Sequence, residues 1–191
     1  MVMAAAPGAL RPAVFLDRDG VVVIPEFREG RSFAPRTLEA FSIYPDARKA
    51  LLRLRDVGYL LVVVTNQPDI GNGAIARETV ERMHDLLRSE LPLDRIEVCP
   101  HRQSDNCDCR KPKPGMLFSA AEACGIDLAN SFMVGDRASD VEAGIAAGCR
   151  TVFIDLDYTS EMKPARLDGV ARSVSGAVDI ILEMKRTAGG A

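Results

Sequence analysis

Ala13-Val14-Phe15-Leu16-Asp17-Arg18-Asp19-Gly20 is an apolar run that ends in two carboxylates and a glycine. An unbroken apolar run of this length is the pattern of a strand buried on both faces, as in a parallel sheet, and Gly20 ends it. Such a strand delivers Asp17 to a loop at its carboxyl end. Two further stretches behave alike: Tyr59 to Val64 runs into Thr65, and Phe132 to Val134 runs into Gly135 and Asp136.

Between these strands the apolar spacing turns helical. Ala47, Leu51, Leu54 and Val57 predict a helix from Pro45 to Val57, terminated by Gly58. Val80, Met83, Leu87 and Leu91 predict another from about Ala76 to Leu91, stopped by Pro92. Pro114 opens a third with Leu117, Ala121 and Cys124 on its inner face and Gly125 at its end. Ser139 and Glu142 have capping-box spacing for a fourth, which Gly148 closes. Ile96 to Val98 and Thr151 to Ile154 add strands, and Ser175 to about Lys185 a last helix.

Strands alternating with helices predict an α/β fold, a Rossmann-like three-layer α/β/α sandwich with a mostly parallel central sheet. The 191 residues suit one domain spanning 1–191. Ligands of such sheets bind at the carboxyl ends of the strands. Asp17, Thr65 and Asp136 therefore converge on one crevice although they are far apart in sequence. No insertion between Asp19 and Thr65, or between Thr65 and Lys111, is large enough for a separate cap domain, so the crevice should be open. Residues 1–12 are small and apolar without a basic start, and are expected to form a frayed tail.

A formal net charge of −3 offers no global attraction for nucleic acid or an anionic membrane. The apolar runs fall well short of the ~20 residues that span a bilayer. These features predict a cytoplasmic monomer whose partner is a small metabolite; an anionic one needs a local basic pocket.

Asp17 and Asp19 on one sharp turn suit a hard cation beside a phosphate ester, one carboxylate attacking and the other handling the leaving-group proton. Asp-x-Asp-Gly is also the composition of a plain surface turn. Asp136 and Asp140, in Gly135-Asp136-Arg137-Ala138-Ser139-Asp140, add two more acids, whose close approach a divalent metal would relieve; an acidic helix start explains them equally. Thr65-Asn66-Gln67 offers neutral donors for phosphate oxygens, and Lys111 a balancing positive charge.

Five cysteines are an odd number, and three lie beside a histidine. Cys99-Pro100-His101 and Cys107-Asp108-Cys109 give three thiolates and one imidazole, a full tetrahedral set for structural zinc in a 99–109 loop, although a redox group would use the same residues. Cys124 and Cys149 read as plain buried thiols. A zinc clip immediately before Arg110 and Lys111 would fix the loop that aims them.

Asp17/Asp19, Thr65, Lys111 and Asp136/Asp140, in this order, resemble the four signature motifs of the haloacid dehalogenase-like hydrolases. The resemblance implies that Asp17 forms an aspartyl-phosphate and that Asp19 serves as general acid and then base. It implies magnesium held by Asp17, Asp136 and the Asp19 carbonyl, with Asp140 supporting that shell. Thr65 and Lys111 would bind the phosphoryl group, and Arg18, Asn66 and Arg110 are candidate substrate contacts.

Cys99 to Met116 resembles the zinc-containing D-glycero-D-manno-heptose 1,7-bisphosphate 7-phosphatases, and Pro114-Gly115-Met116 favours that branch over the related histidinol-phosphate phosphatases. The expected reaction is therefore loss of the C7 phosphate during nucleotide-activated heptose biosynthesis. Histidinol phosphate is the alternative substrate, and a phosphoacceptor signalling domain or a non-catalytic zinc module the alternatives of another class. Two loops depart from the heptose enzymes, Val21 to Phe27 and Pro68-Asp69-Ile70-Gly71-Asn72-Gly73. Arg28 and Arg31 near the first could meet a distal phosphate or a sugar.

Overall fold

The computed structural model describes residues 10–158 and 162–188. In chain order the main elements are β1 (Ala13–Leu16), β2 (Glu26–Arg28), β3 (Arg31–Phe33), α1 (Ala47–Asp56), β4 (Leu60–Asn66), α2 (Pro68–Gly71), α3 (Arg77–Glu90) and β5 (Arg95–Cys99). There follow α4 (Gly115–Cys124), β6 (Phe132–Gly135), α5 (Ala138–Ala146), β7 (Arg150–Ile154), β8 (Gly169–Ala171) and α6 (Val174–Ala188).

Six strands form one parallel sheet in the order β5-β4-β1-β6-β7-β8. Because side chains alternate along a strand, β1 sends Val14 and Leu16 to one face and Ala13 and Phe15 to the other. The first pair packs with Leu51 and Leu54 of α1, Met83 and Leu87 of α3, and Val178 and Ile181 of α6. The second packs with Met116, Leu117 and Ala120 of α4 and Ala143 of α5. Both faces of the sheet are thus covered, the predicted three-layer arrangement.

From β1 the chain steps outward to β4 and β5, then returns to β6 on the other side of β1 and proceeds to β7 and β8. The connections after β1 and β6 therefore diverge, and a crevice opens at the carboxyl ends of these two strands.

The predicted elements are present with shifted ends, and some details are corrected. The first turn of α5 is held by the Asp140 carboxylate, which accepts from the Arg137 N–H at 3.0 Å, and not by Ser139 with Glu142. The inner face of α4 is Met116, Leu117 and Ala120, with Ala121 and Cys124 at its half-buried edge. Cys149 is buried, and burial pushes its thiol up to about 12, as befits an inert core cysteine. Of the tail expected over 1–12, residues 1–9 lie outside the described part. Arg11 is not frayed, since its N–H donates to Gly125 and its carbonyl accepts from Asp127, both at 2.9 Å.

Four elements, β2, β3, α2 and β8, were not anticipated. β8 adds to the outer edge of the sheet, α2 follows β4, and β2 with β3 forms an antiparallel hairpin at the crevice rim. Glu29 and Gly30 at its tip both have positive φ, the signature of a two-residue turn matched to strand twist. Among the described residues no helix is long and apolar enough to cross a membrane.

Candidate active site and metal centre

The loop after β1 turns back on itself at once. The Arg18 carbonyl accepts from the N–H groups of Val22 and Val23, and the Gly20 N–H donates to Val23. Val21, Val22 and Val23 are fully buried and anchor the turn. Gly20 has φ +94°, and a Cβ there would lie 2.1 Å from Asp136 Oδ2. Glycine is thus required both by the conformation and by the passage of the loop against the Asp136 carboxylate. Gly135 plays a similar part for α5, because a Cβ on it would meet Asp140 Cβ at 2.1 Å.

These close approaches bring Asp17, Asp136 and Asp140 together, with one oxygen of each inside a 4.8 Å cluster. Lys111 enters from the other side. Its Nζ donates to Asp17, to Asp140 and to the Val64 carbonyl, each at 2.7 Å. Burial alone would lower the Lys111 pKa, but Asp140 and Asp17 more than offset it and lift it to about 12. One ammonium cannot balance three carboxylates. Burial pushes Asp140 up to about 6 with Lys111 opposing, and burial with the charges of Asp17 and Asp140 holds Asp136 well above the usual carboxylate range. Asp136 Oδ2 accepts from the Tyr158 hydroxyl, whereas its buried Oδ1 has no partner among the described residues. An orphaned carboxylate oxygen in a crowded acidic cluster is the donor set of a hard divalent cation, so these residues fit magnesium.

The Thr65 hydroxyl accepts from Gln67 Nε2 at 2.8 Å, and the same amide donates to Asp19 Oδ2 at 2.9 Å. Asn66, a candidate substrate contact, borders the cavity and also clamps Lys111: its Oδ1 accepts from the Lys111 N–H and its Nδ2 donates to the Lys111 carbonyl, both at 3.1 Å. Arg18 requires a plainer correction. It is completely buried, with Nε and NH2 on the Asp19 carboxylate and NH1 facing His84, and it does not line the cavity. It lies behind the site and cannot touch a ligand there.

The cavity holds about 590 Å³ and is bordered by Asp17, Asp19, Thr65, Lys111 and Asp140, with Arg31, Arg36, Arg110 and Arg137 around it. The buried NH1 of Arg110 has no hydrogen-bond partner among the described residues. Arg36 pairs with Asp69 of the second divergent loop at 2.7 Å, and Arg137 donates to Ser32 of the hairpin. Arg28 does not line the cavity and pairs with Glu26. Tyr158, Arg36 and Arg137 were assigned no role from the sequence, and Gln67, read there as a phosphate donor, holds Thr65 and Asp19. The sequence signal for the hairpin that brings Ser32 to the cavity is the Glu29-Gly30 turn pair, without alternation in the flanking triplets.

The second cluster lies at the end of β5. Cys99 Sγ is 3.5 Å from Cys107 Sγ and 3.7 Å from His101 Nδ1. Cys109 Sγ is 3.5 Å from Cys107 Sγ and 3.2 Å from His101 Nδ1. Zinc–sulfur bonds of about 2.3 Å in a tetrahedron separate sulfurs by about 3.8 Å, so the four atoms form nearly the polyhedron that zinc requires. Their proton affinities agree. Burial and the neighbouring Cys99 and Cys107 sulfurs push Cys109 up to about 12, so three thiolates do not coexist here without a cation.

A HAD-hydrolase-like family model matches residues 108–177. The D-glycero-beta-D-manno-heptose-1,7-bisphosphate 7-phosphatase of Pseudomonas aeruginosa is 37% identical over 149 residues, covering 75% of this chain and 81% of that protein. The protein of the same name from Vibrio cholerae is 39% identical over 156 residues, covering 75% and 81%. Among solved structures, the D,D-heptose 1,7-bisphosphate phosphatase of B. bronchiseptica, complexed with magnesium and phosphate, superposes with a TM-score of 0.73 at 27% identity, over 91% of this chain and 99% of that one. With relatives this similar over three quarters of its length, and with the acidic crevice of its parallel sheet, the chain belongs to the haloacid dehalogenase-like hydrolases and is a phosphoric monoester hydrolase.

Proposed function

We propose that this protein removes the C7 phosphate of D-glycero-D-manno-heptose 1,7-bisphosphate in a magnesium-dependent reaction through an aspartyl-phosphate on Asp17. The observation that carries the chemistry is the buried Lys111 ammonium, shared at 2.7 Å between Asp17 and Asp140 beside the orphaned Asp136 oxygen. Asp17 attacks phosphorus with the carboxylate oxygen that faces the cavity. Lys111 and the Thr65 hydroxyl hold the oxygens of the transferring group, and Asp140 and Asn66 keep Lys111 in place. Asp19 gives a proton to the leaving oxygen, then takes one from the water that hydrolyses the acyl phosphate. Asp17, Asp136 and the Asp19 carbonyl would hold magnesium, with Asp140 behind them. A bound magnesium ion neutralises and orients phosphoryl oxygens.

The names of the relatives support the substrate, and so does the rim of the cavity. Arg31, Arg36 and Arg110 favour a second anionic group on the substrate, and they disfavour histidinol phosphate, which carries an ammonium. The test is phosphate release from heptose 1,7-bisphosphate and from histidinol phosphate side by side. A clear preference in kcat/KM for the bisphosphate is expected; preference for histidinol phosphate would overturn the substrate while keeping the chemistry.

The magnesium site carries its own pH signature. Asp140 titrates near 6 in the fold against about 3.9 when unfolded, and burial with the charges of Asp17 and Asp140 raises Asp136 well above the usual range. Without metal the fold binds more protons than the unfolded chain, so the stability these groups contribute is full below about pH 4 and is lost as pH rises through 6. A dication cancels that loss. Magnesium should therefore raise the Tm of the zinc-loaded protein more at pH 8 than at pH 5, as read by scanning calorimetry. Equal shifts at both pH values would show that these carboxylates do not form the site.

A further inference from the structure

We propose that His84, on α3 beneath the crevice, is a positioning residue for the general acid and base Asp19, acting through the buried guanidinium of Arg18. This rests on the reading of Asp19 as the group that protonates the leaving oxygen.

Arg18 is fully buried, and its charge is met by a single carboxylate. Nε lies 3.1 Å from each oxygen of Asp19, and NH2 donates to Oδ2 at 2.9 Å. The far edge of the guanidinium ends on His84, with NH1 3.3 Å from Nε2, and Phe41 lies against the group at 5.6 Å. Guanidinium nitrogens can only donate, so Nε2 must accept, and the imidazole proton sits on Nδ1. Nδ1 has no hydrogen-bond partner among the described residues; the Glu81 carboxylate is 4.0 Å away. Burial, then Arg18 and Arg88, depress His84 to about 3, so it remains neutral and accepting across the working range.

A fully buried, neutral histidine is a costly way to fill a core unless its acceptor is used. Here it fixes the rotation of the guanidinium plane. That plane sets the direction of the Asp19 carboxylate, and Gln67 fixes its other side while holding Thr65. The chain of contacts runs from α3 to the cavity without a gap and ends on Asp19.

The test uses leaving-group dependence in the full-length protein with magnesium and zinc. A sugar phosphate leaves as an alkoxide that needs a proton, whereas 4-nitrophenyl phosphate leaves as a stable phenolate that does not. His84→Gln keeps an acceptor near Nε2, and His84→Asn moves it to the Nδ1 position. Because the second role of Asp19, as base on the water, is common to both substrates, the comparison is made in kcat/KM, which reports transfer to Asp17 alone: His84→Asn should lose about 10²-fold in kcat/KM on the sugar phosphate and only a few fold on 4-nitrophenyl phosphate. His84→Gln should recover most of the loss, and Asp19→Asn should show the same selectivity more strongly. Equal losses on both substrates in His84→Asn, or no loss in either, would overturn the proposal and leave His84 as packing. Should Asp19→Asn itself lose both substrates equally, the reading of Asp19 falls first and takes this role of His84 with it. Because both variants retain a polar side chain of similar size, a fold defect shows separately as a lowered Tm in both.

Discussion

Asp17→Asn is expected to abolish phosphate release from heptose bisphosphate and 4-nitrophenyl phosphate alike, by on the order of 10⁶-fold, the scale of removing a nucleophile from an otherwise intact site. The amide is nearly isosteric, so the cavity should keep its shape. Lys111 retains two partners, Asp140 and the Val64 carbonyl. Removing one of three crowded carboxylates also relieves the repulsion that raises Asp136 and Asp140. The metal-free variant should therefore unfold at a temperature equal to or above that of the unsubstituted protein at pH 8, and a thermal melt checks this independently of activity. Inactivity with an undiminished melt places the defect in chemistry. A variant that still turns over within about 10²-fold of the parent would exclude Asp17 as nucleophile and leave it as a metal ligand alone.

What the sequence disclosed follows from how each residue acts. Asp17, Thr65 and Asp136 were legible because each ends an apolar run, and a buried parallel strand can deliver its last residue to only one place. Lys111 was legible by its neighbourhood to the cysteines. The roles of Arg18 and Asn66 were not, because the direction of a side chain depends on what packs behind it. Arg18 turns away from the crevice because His84 and Phe41, more than sixty and twenty residues distant, form the pocket that receives it. Asn66 spends its amide on the backbone of Lys111, a pairing that exists only after β4 and the zinc loop have met. The β2-β3 hairpin has three-residue strands with exposed aromatics, Phe27 and Phe33, which give no burial periodicity. Its contribution to the site comes from Ser32, held by Arg137, and from Phe27, whose ring lies 5.2 Å from that of Tyr158.

Loss of zinc should be the next largest effect, acting on rate and stability together while sparing the nucleophile. Lys111 is two residues beyond Cys109, and the start of α4 presses on the same loop: a Cβ on Gly115 would lie 2.3 Å from the Asp108 carbonyl. Lys113 returns to the loop through Asn106 and Asp108, each at 3.2 Å. Without the metal, Cys99, His101, Cys107 and Cys109 lose their common centre, and burial keeps the Cys99 and Cys109 thiols protonated. Structural zinc contributes about 10–16 kcal/mol in isolated fingers. In a chain whose sheet and two cores form without it, only part of that is at stake. A loss of several kcal/mol corresponds to a drop in Tm on the order of 10 °C for a protein of this size. Displacing Lys111 by about 1 Å costs about 10²-fold in kcat. Chelation followed by excess magnesium should show both losses, and added zinc should restore the chelated protein but not Cys109→Ser. If the stripped protein keeps its Tm and its kcat, the cysteine loop is not coupled to the crevice. If Tm falls while kcat holds, Asn66 alone suffices to place Lys111, and the zinc serves the fold without serving the reaction.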